Sequence, residues 1–565
     1  MKPVIKHTAL SVCLALTLGS CNDFFEILPL NEIVLENYYT EEGDITSVIN
    51  ACYAGLESED CLLRMAAWGE FRSDNISVGA GAPEDETQLL KENILPTSKF
   101  TDWSSFYTVI NRCNTVIYYA PVVQQKDPNY TYSEMKANIA EVKALRALCY
   151  FYLIRTFKDV PFLLEPSLDD DQEYFVGVTP FETILDTLIL DLENVKDDAI
   201  KRYATPSDNT SKITRYSIYA LLADMYLWKG DYQQCVEYCQ TIMDYKYELY
   251  EEEFDLRGNN TNIKLYKGYP LISENMGGSY AYSGEAYTAI FGEKNSFESI
   301  FELHFERNQP VSNTLVSRYY GSSSSTSGYV SATPFLVESV ATGANKIFRN
   351  TDCRYIESIR TQTSSGMYPI LKYVASSISF ATPTASMTTT PGISYSTSST
   401  NYSNWIVYRL SDIMLMKAEA LLQLSKIDTT SSRNSNLRTS FNLVQAVFNR
   451  ANNLTDISAD TLKYATYATS ILALEDLVLA ERQRELLFEG KRWFDLMRMA
   501  RQRGNNTDLI ANVIKKQKAN TMAIQTKLAD VNRLYFPYSE TELKKNPLMT
   551  QNPAYLTDQS TSLTD

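Results

Sequence analysis

The sequence predicts a mostly α-helical protein, an irregular tetratricopeptide-like scaffold interrupted by a loop-rich insertion. Three observations predict it. Apolar residues recur at helical steps in separated stretches, one stretch carries the small-residue pattern of paired helices, and a long block rich in Gly, Ser and Thr splits the helical regions.

Over 133–157 the residues Ile139, Val142, Leu145, Cys149 and Tyr152 form one helical stripe, and Ala144 and Ala147 admit a close neighbour. Asp159-Val160-Pro161 ends it. Next, Leu222, Ala223 and Tyr226 precede a break at Lys229-Gly230-Asp231, after which Tyr232, Cys235, Cys239 and Ile242 resume the stripe. These offsets match the tetratricopeptide pattern, in which small residues let two helices approach. Cys235 and Cys239 are therefore packing positions rather than half a metal site. Further helical stretches run over 409–424 and 472–503, giving four units near 104–160, 212–248, 405–450 and 470–503. Between them, 255–400 carries Gly277-Gly278, a serine run over 322–328 and a Ser/Thr-rich stretch over 376–403. Such loops make poor cores and normal recognition surfaces, so this block is expected to be the ligand-facing subdomain.

The 565 residues include 52 Lys and Arg against 68 Asp and Glu, a net charge of −16. Phosphate binding needs clustered positive charge, so nucleic acid is excluded as the main partner. Tyr outnumbers Phe 39 to 23, and a ring with a polar tip suits half-exposed binding surfaces. Residues 1–20 read as an export signal: Lys2 and Lys6 open it, and the apolar run of about ten residues is shorter than the ~20 a membrane span needs. Leu18-Gly19-Ser20-Cys21 has the shape of a lipobox, so Cys21 is expected to carry lipid, with one domain over 21–565. Cleavage leaves His304 as the only histidine, which starves His-based catalysis and excludes His-rich zinc sites. No CxxC pair is present. Seven cysteines remain besides Cys21; Cys52 and Cys61 are the close pair for a disulfide, and buried free thiols are the default.

Several separate segments carry a family likeness. They are Cys21-Asn22-Asp23-Phe24-Phe25-Glu26, Trp103 with Tyr107, Ile110 and Asn114, Leu145-Arg146-Ala147, Asp159-Val160-Pro161, and Glu298-Ser299-Ile300-Phe301-Glu302. The most specific are the stretch over 409–420, the stretch over 481–496 with Phe488-Glu489-Gly490-Lys491-Arg492-Trp493, and the ending Asn546-Pro547 with Gln551-Asn552-Pro553-Ala554-Tyr555. In these the chain resembles the RagB/SusD family of outer-membrane nutrient-uptake lipoproteins. The resemblance implies a SusD-like fold and a cell-surface lipoprotein of the outer membrane that binds oligosaccharide. It also implies a lid on a SusC-like TonB-dependent transporter, without covalent chemistry. Lys158 and Ala554 stand where the family usually has glycine, which questions local turn geometry.

Glu481, Glu485 and Glu489 line one helical face, an arrangement open to metal binding or glycosidase chemistry. Interleaved Arg482, Arg484, Lys491, Arg492 and Arg498 favour an ion-pair network instead, with Glu481/Arg484, Glu489/Arg492 and Arg492/Asp495 as pairs. For glycan binding, Trp68, Arg72 and Asn75 combine an aromatic face with polar groups, while Asp74 is read as holding the loop. Tyr280, Tyr282, Tyr287, Tyr319, Tyr320 and Tyr329 are flanked by small residues and are expected at the surface. Trp103, Trp228, Trp405, Trp493 and His304 read as structural. No catalytic residue, metal or cofactor is expected, and structural calcium stays open. Rival functions are a RagB-like peptide receptor, a surface glycoside hydrolase and a tetratricopeptide adaptor.

Overall fold

The computed structural model describes residues 38–556 apart from 169–174, 259–260, 275, 278–280, 283, 307–310, 322–327, 338–346, 350–351, 361–362, 364–365, 382–391, 396–400, 429, 431, 453–461 and 518. The lipobox, Cys21 and Tyr280 lie outside these, and for Tyr282 only the backbone is described.

Two helices open the described chain, α1 (Glu42–Leu56) and α2 (Glu59–Ala66). The first long pair is α3 (Ser104–Lys126) and α4 (Tyr132–Phe157). Thr131 starts α4 with a capping box: its hydroxyl accepts from the Glu134 N–H at 3.2 Å, and the Glu134 carboxylate accepts from the Thr131 N–H at 2.9 Å. After α5 (Phe181–Glu193) comes the pair α6 (Arg215–Lys229) and α7 (Tyr232–Arg257). Gly230, at φ +87°, closes α6 in the left-handed region that glycine enters freely. Then come α8 (Leu410–Ile427) with α9 (Ser432–Asn452), and α10 (Ile471–Glu485) with α11 (Arg492–Arg503). Neighbours pack in succession, α1 on α3, α4 on α5, α5 on α6, α7 on α8 and α8 on α10, so one apolar core runs through the scaffold.

The insertion is more structured than its composition suggests. Strand β1 (Ile76–Val78) pairs antiparallel with β3 (Val330–Ala332), placing Ile76 opposite Ala332. Strand β2 (Ser299–Leu303) pairs with β4 (Trp405–Arg409), the strand that leads into α8. All five residues of β2 are buried, and the Ser217 hydroxyl at the start of α6 donates to the Ile300 carbonyl. The block expected to make a poor core thus contributes core, because its short apolar runs pair with strands outside it. A four-stranded sheet adds Met276–Gly277, Ala281–Tyr282, Ala375–Ala381 and Gly392–Tyr395.

The two departures from glycine behave differently. Lys158 sits at φ +73° and ψ −82°, with the Asp159 N–H donating to the Phe157 carbonyl at 3.1 Å. This is a γ-turn of the strained positive-φ kind. Ala554 lies in a short 3-10 turn capped by the Asn552 side chain and needs no glycine.

Candidate functional site

The Trp68–Asn75 segment joins the N-terminal and C-terminal thirds of the chain and is buried throughout. Trp68 Nε1 donates to the Phe100 carbonyl at 2.9 Å, and its ring packs on Phe106 and Phe157 at 4.9 and 5.4 Å. The Arg72 guanidinium lies 4.0 Å over the Trp493 ring and donates to Glu92 at 2.9 Å and to the Leu534 and Arg533 carbonyls at 2.6 and 2.8 Å. Asn75 donates to Glu70 at 2.7 Å and accepts from Gln483 at 2.8 Å. Gly69 is required here: a Cβ would stand 1.8 Å from the Gly490 carbonyl oxygen. The expectation that Trp68, Arg72 and Asn75 touch ligand is corrected, since each is consumed by partners that burial demands. Asp74 holds the structure, as read, but through Arg492.

Three tyrosines are corrected in the same way. Tyr287 donates to the Leu371 and Ala375 carbonyls at 2.9 and 3.1 Å, Tyr319 to Glu86 at 2.5 Å, and Tyr320 to the Phe488 carbonyl at 2.8 Å. All three are buried. Small neighbours do not expose a ring; they let backbone close over it. At Gly328 a Cβ would stand 2.1 Å from the Tyr319 carbonyl oxygen.

Tyr329 is different. It is half-buried at the edge of the β1/β3 pair, and its carbonyl accepts from the Gly79 N–H at 2.8 Å. Behind it the rings of Tyr319 and Phe71 follow at centroid distances of 5.8 and 5.4 Å. Thr333, just after β3, ties this edge to the buried segment: its N–H donates to the Asn75 carbonyl and its hydroxyl to the Asp74 carbonyl. Tyr368 runs beside β3, its N–H donating to the Ser331 hydroxyl and its carbonyl accepting from the Ala332 N–H, and is half-buried, as is Tyr355. The β1/β3 edge is therefore an aromatic face carried on a rigid buried base, which suits stacking on an apolar ring face. Sequence reasoning missed Tyr368 and Tyr355; the Gly366-Met367-Tyr368-Pro369 turn was the available signal.

The Glu481, Glu485 and Glu489 ladder faces inward. Arg354 reaches Glu481 and Glu485 at 2.8 and 2.9 Å, Arg409 reaches Glu485 and Glu489 at 2.6 and 2.8 Å, and Lys372 reaches Glu489 at 2.6 Å. Despite burial, the Arg450, Arg409 and Arg354 charges hold the Glu485 carboxyl well below its usual range, and Arg409 and Lys372 lower that of Glu489. Permanently ionised, enclosed carboxylates make poor acid–base groups. Glu481/Arg484 pairs as expected at 2.6 Å. The other two expected pairs are corrected: Arg492 pairs with Asp74, and Asp495 with Arg482 and Arg498. For a metal, the ligand atoms of Glu274, Cys353 and Glu357 lie within 4.8 Å of one another among the described residues. The sulfur ligand in that group suits a softer ion than calcium.

The seven cysteines among the described residues are free and buried. Cys52 lies 3.7 Å, sulfur to sulfur, from Cys113 rather than beside Cys61, so the Cys52–Cys61 disulfide is not formed. His304 is held by Glu306 and Asn404.

A separate cleft of about 610 Å³ lies between α3 and the C-terminal end, with Trp103, Tyr107 and Met549 among its lining. Asparagines fix its walls: Asn114 donates to the Leu163 and Glu165 carbonyls, Asn111 accepts from the Ser167 N–H, and Asn546 donates to the Val176 carbonyl.

A family model described as the SusD family matches residues 298–555. The SusD-like protein P38 of Formosa agariphila is 25% identical over 512 residues, covering 87% of this chain and 91% of its own. The SusD-like protein P2 of the same organism is 23% identical, covering 97% and 100%. Among solved structures, a SusD superfamily protein of Bacteroides vulgatus superposes with a TM-score of 0.64 at 18% identity, covering 92% of this chain and all of its own. A laminarin-binding SusD-like protein superposes at 0.62 with 20% identity and the same coverage. The helical scaffold, the C-terminal match and the relatives point the same way: residues 298–555 match the SusD family, and over nearly its whole length the chain is similar to SusD-like proteins and shares the fold of SusD superfamily structures.

Proposed function

We propose that this protein is a non-catalytic glycan-binding lipoprotein of the outer-membrane surface, which captures oligosaccharide and serves as lid for a SusC-like TonB-dependent transporter. The observation that carries the reading is the aromatic β1/β3 face, with Tyr329 and Tyr368 at a glycine-packed edge, in a chain similar to SusD-like proteins. Rings stack on the C–H faces of sugars while nearby backbone and polar side chains meet the hydroxyls; each ring adds about 0.5–1.5 kcal/mol beyond buried area, so several contacts act together. The laminarin-binding neighbour supports glycan as the class of cargo. For attachment, lipid on Cys21 supplies ~0.8 kcal/mol per buried methylene, and no helix of the described residues is long and apolar enough to cross a membrane.

The test is binding of the chain from Asn22 onward to a polysaccharide panel and a mixed peptide pool, by affinity electrophoresis. Retardation by a polysaccharide that is not shortened supports the reading. Peptide-only binding replaces it with the RagB-like reading, and sugar release replaces it with a hydrolase.

A further inference from the structure

The chain is strongly acidic, yet one pocket of about 240 Å³ is lined by three cations, Lys201, Arg202 and Lys246, and by no carboxylate. It lies where the segment between α5 and α6 meets the middle of α7 and the turn before β2. Lys246 sets its charge from within. Buried on α7, its ammonium donates to the Phe297 and Ser299 carbonyls at 2.6 and 2.8 Å, which uses two of its three N–H groups. Burial pushes it down to about 8 against the opposing charges of Glu298 and Glu302, so at pH 7 it is a cation held out of water. Neither of those carboxylates lines the pocket: Glu298 is paired with Arg450, and Glu302 accepts from Ser299 and Asn404.

The other polar groups on the wall can donate as well. Tyr216 and Tyr245 stack with centroids 3.6 Å apart, and neither hydroxyl has a hydrogen-bond partner among the described residues. The Asn295 amide oxygen accepts from the Thr210 hydroxyl at 2.7 Å, while its nitrogen donates to no described residue. Lys201 is exposed without an ion pair among the described residues, and exposed Arg202 holds Glu252 at 3.0 Å. Unspent donors around a pocket of one sign select an oxyanion, because charge-assisted hydrogen bonds are the strong ones and such a pocket concentrates the field. A bare ion would leave the tyrosine pair, Leu249 and Ile300 uncovered on the same wall. The volume lies just under the ~300 Å³ at which pockets for drug-sized ligands begin, which leaves room for about one ring.

We infer that this pocket binds an acidic sugar residue, its carboxylate or sulfate ester met by Lys246, Lys201 and Asn295 and its ring by Tyr216 and Tyr245. The site shares no residue with the β1/β3 face and does not rest on it. It would add recognition of negative charge to a chain whose aromatic face meets the uncharged faces of sugar rings.

The test uses the chain from Asn22 onward, with glucuronate, galacturonate, sulfated glucose, plain glucose and inorganic sulfate as probes, read by calorimetry and ligand-observed NMR. A Kd of about 1 mM for a sugar acid or for sulfated glucose is expected, with no saturable binding of plain glucose, and whichever binds identifies the anionic group. Lys201→Ala with Arg202→Ala, both at exposed positions, should weaken that binding about tenfold, and Tyr245→Phe about threefold, at an unchanged thermal midpoint. Inorganic sulfate bound as tightly as the charged sugars would mean an adventitious ion only and overturns the inference. No saturable binding up to about 20 mM, or equal affinity in the variants, overturns it too. Polysaccharide retention that depends on Tyr329 is a separate readout, so either claim can fail while the other stands.

Discussion

Arg492 grips Asp74 across the length of the chain, Nε to Oδ1 at 2.8 Å and Nη2 to Oδ2 at 3.1 Å, with both side chains buried. The pair locks the start of α11 to the segment that carries β1, and through Thr333 it locks β3 as well. Position at the aromatic face therefore depends on charge pairing in the interior.

Asp74→Ala leaves the Arg492 charge buried without its carboxylate, and loss of one partner of such a pair costs about 3–5 kcal/mol. Denaturant unfolding should show that loss, whereas the double variant Asp74→Leu with Arg492→Met should recover most of it. Equal losses in both would mean that packing volume, and not the unpaired charge, dominates.

Stability should fall as pH rises from 5 to 7.5. Burial pushes the carboxyls of Glu57, Glu70 and Glu141 up from 4.5 to about 7, so between those values the folded chain holds protons that the unfolded chain has released. Their contribution is complete below pH 4.5 and lost as pH rises through 7. The paired carboxylates Asp74, Glu485, Glu489 and Asp495 are shifted down and act oppositely, losing stability below about pH 4 as they protonate. Glu141→Gln keeps an oxygen for the Tyr53 hydroxyl, which donates to Glu141 at 2.5 Å, and should flatten the slope between pH 5 and 7.5 in unfolding titrations.

Lys158→Gly should stabilise the protein by about 1 kcal/mol. A lysine at φ +73° and ψ −82° carries backbone strain that glycine does not. The thermal midpoint reads this directly, and an unchanged midpoint would show that the γ-turn costs nothing here.

In the chain from Asn22 onward, a thiol reagent should find no fast-reacting group in the native state and seven after unfolding, because all seven cysteines are buried and unpaired. Burial also raises the thiols of Cys61, Cys113, Cys149 and Cys235, which withholds the reactive thiolate. Fewer than seven after unfolding would reveal a disulfide.

The helices were legible because their signals are local: apolar periodicity, Gly230 at the α6 end, and small residues where helices meet. Family motifs in the C-terminal third were legible for the same reason. The binding site was not, because burial of Trp68, Arg72 and Asn75 is decided by residues 32 to 462 positions away, among them Phe100, Gln483 and Leu534. Proximity in sequence suggested i,i+3 pairs for Arg492, yet Asp74 claims it. Tyr319 and Tyr320 show the same limit: their neighbours are small, but the Glu86 carboxylate and Phe488 carbonyl that anchor them come from distant chain.

The most direct test of the account is calorimetric affinity for the polysaccharide that the protein retains, measured on the unaltered chain and on Tyr329→Ala with its thermal midpoint checked. An intact fold with affinity lowered about threefold to tenfold, the loss of one stacked ring, is expected. Unchanged affinity in a folded variant, or retention of peptides alone, would contradict glycan capture at the β1/β3 face.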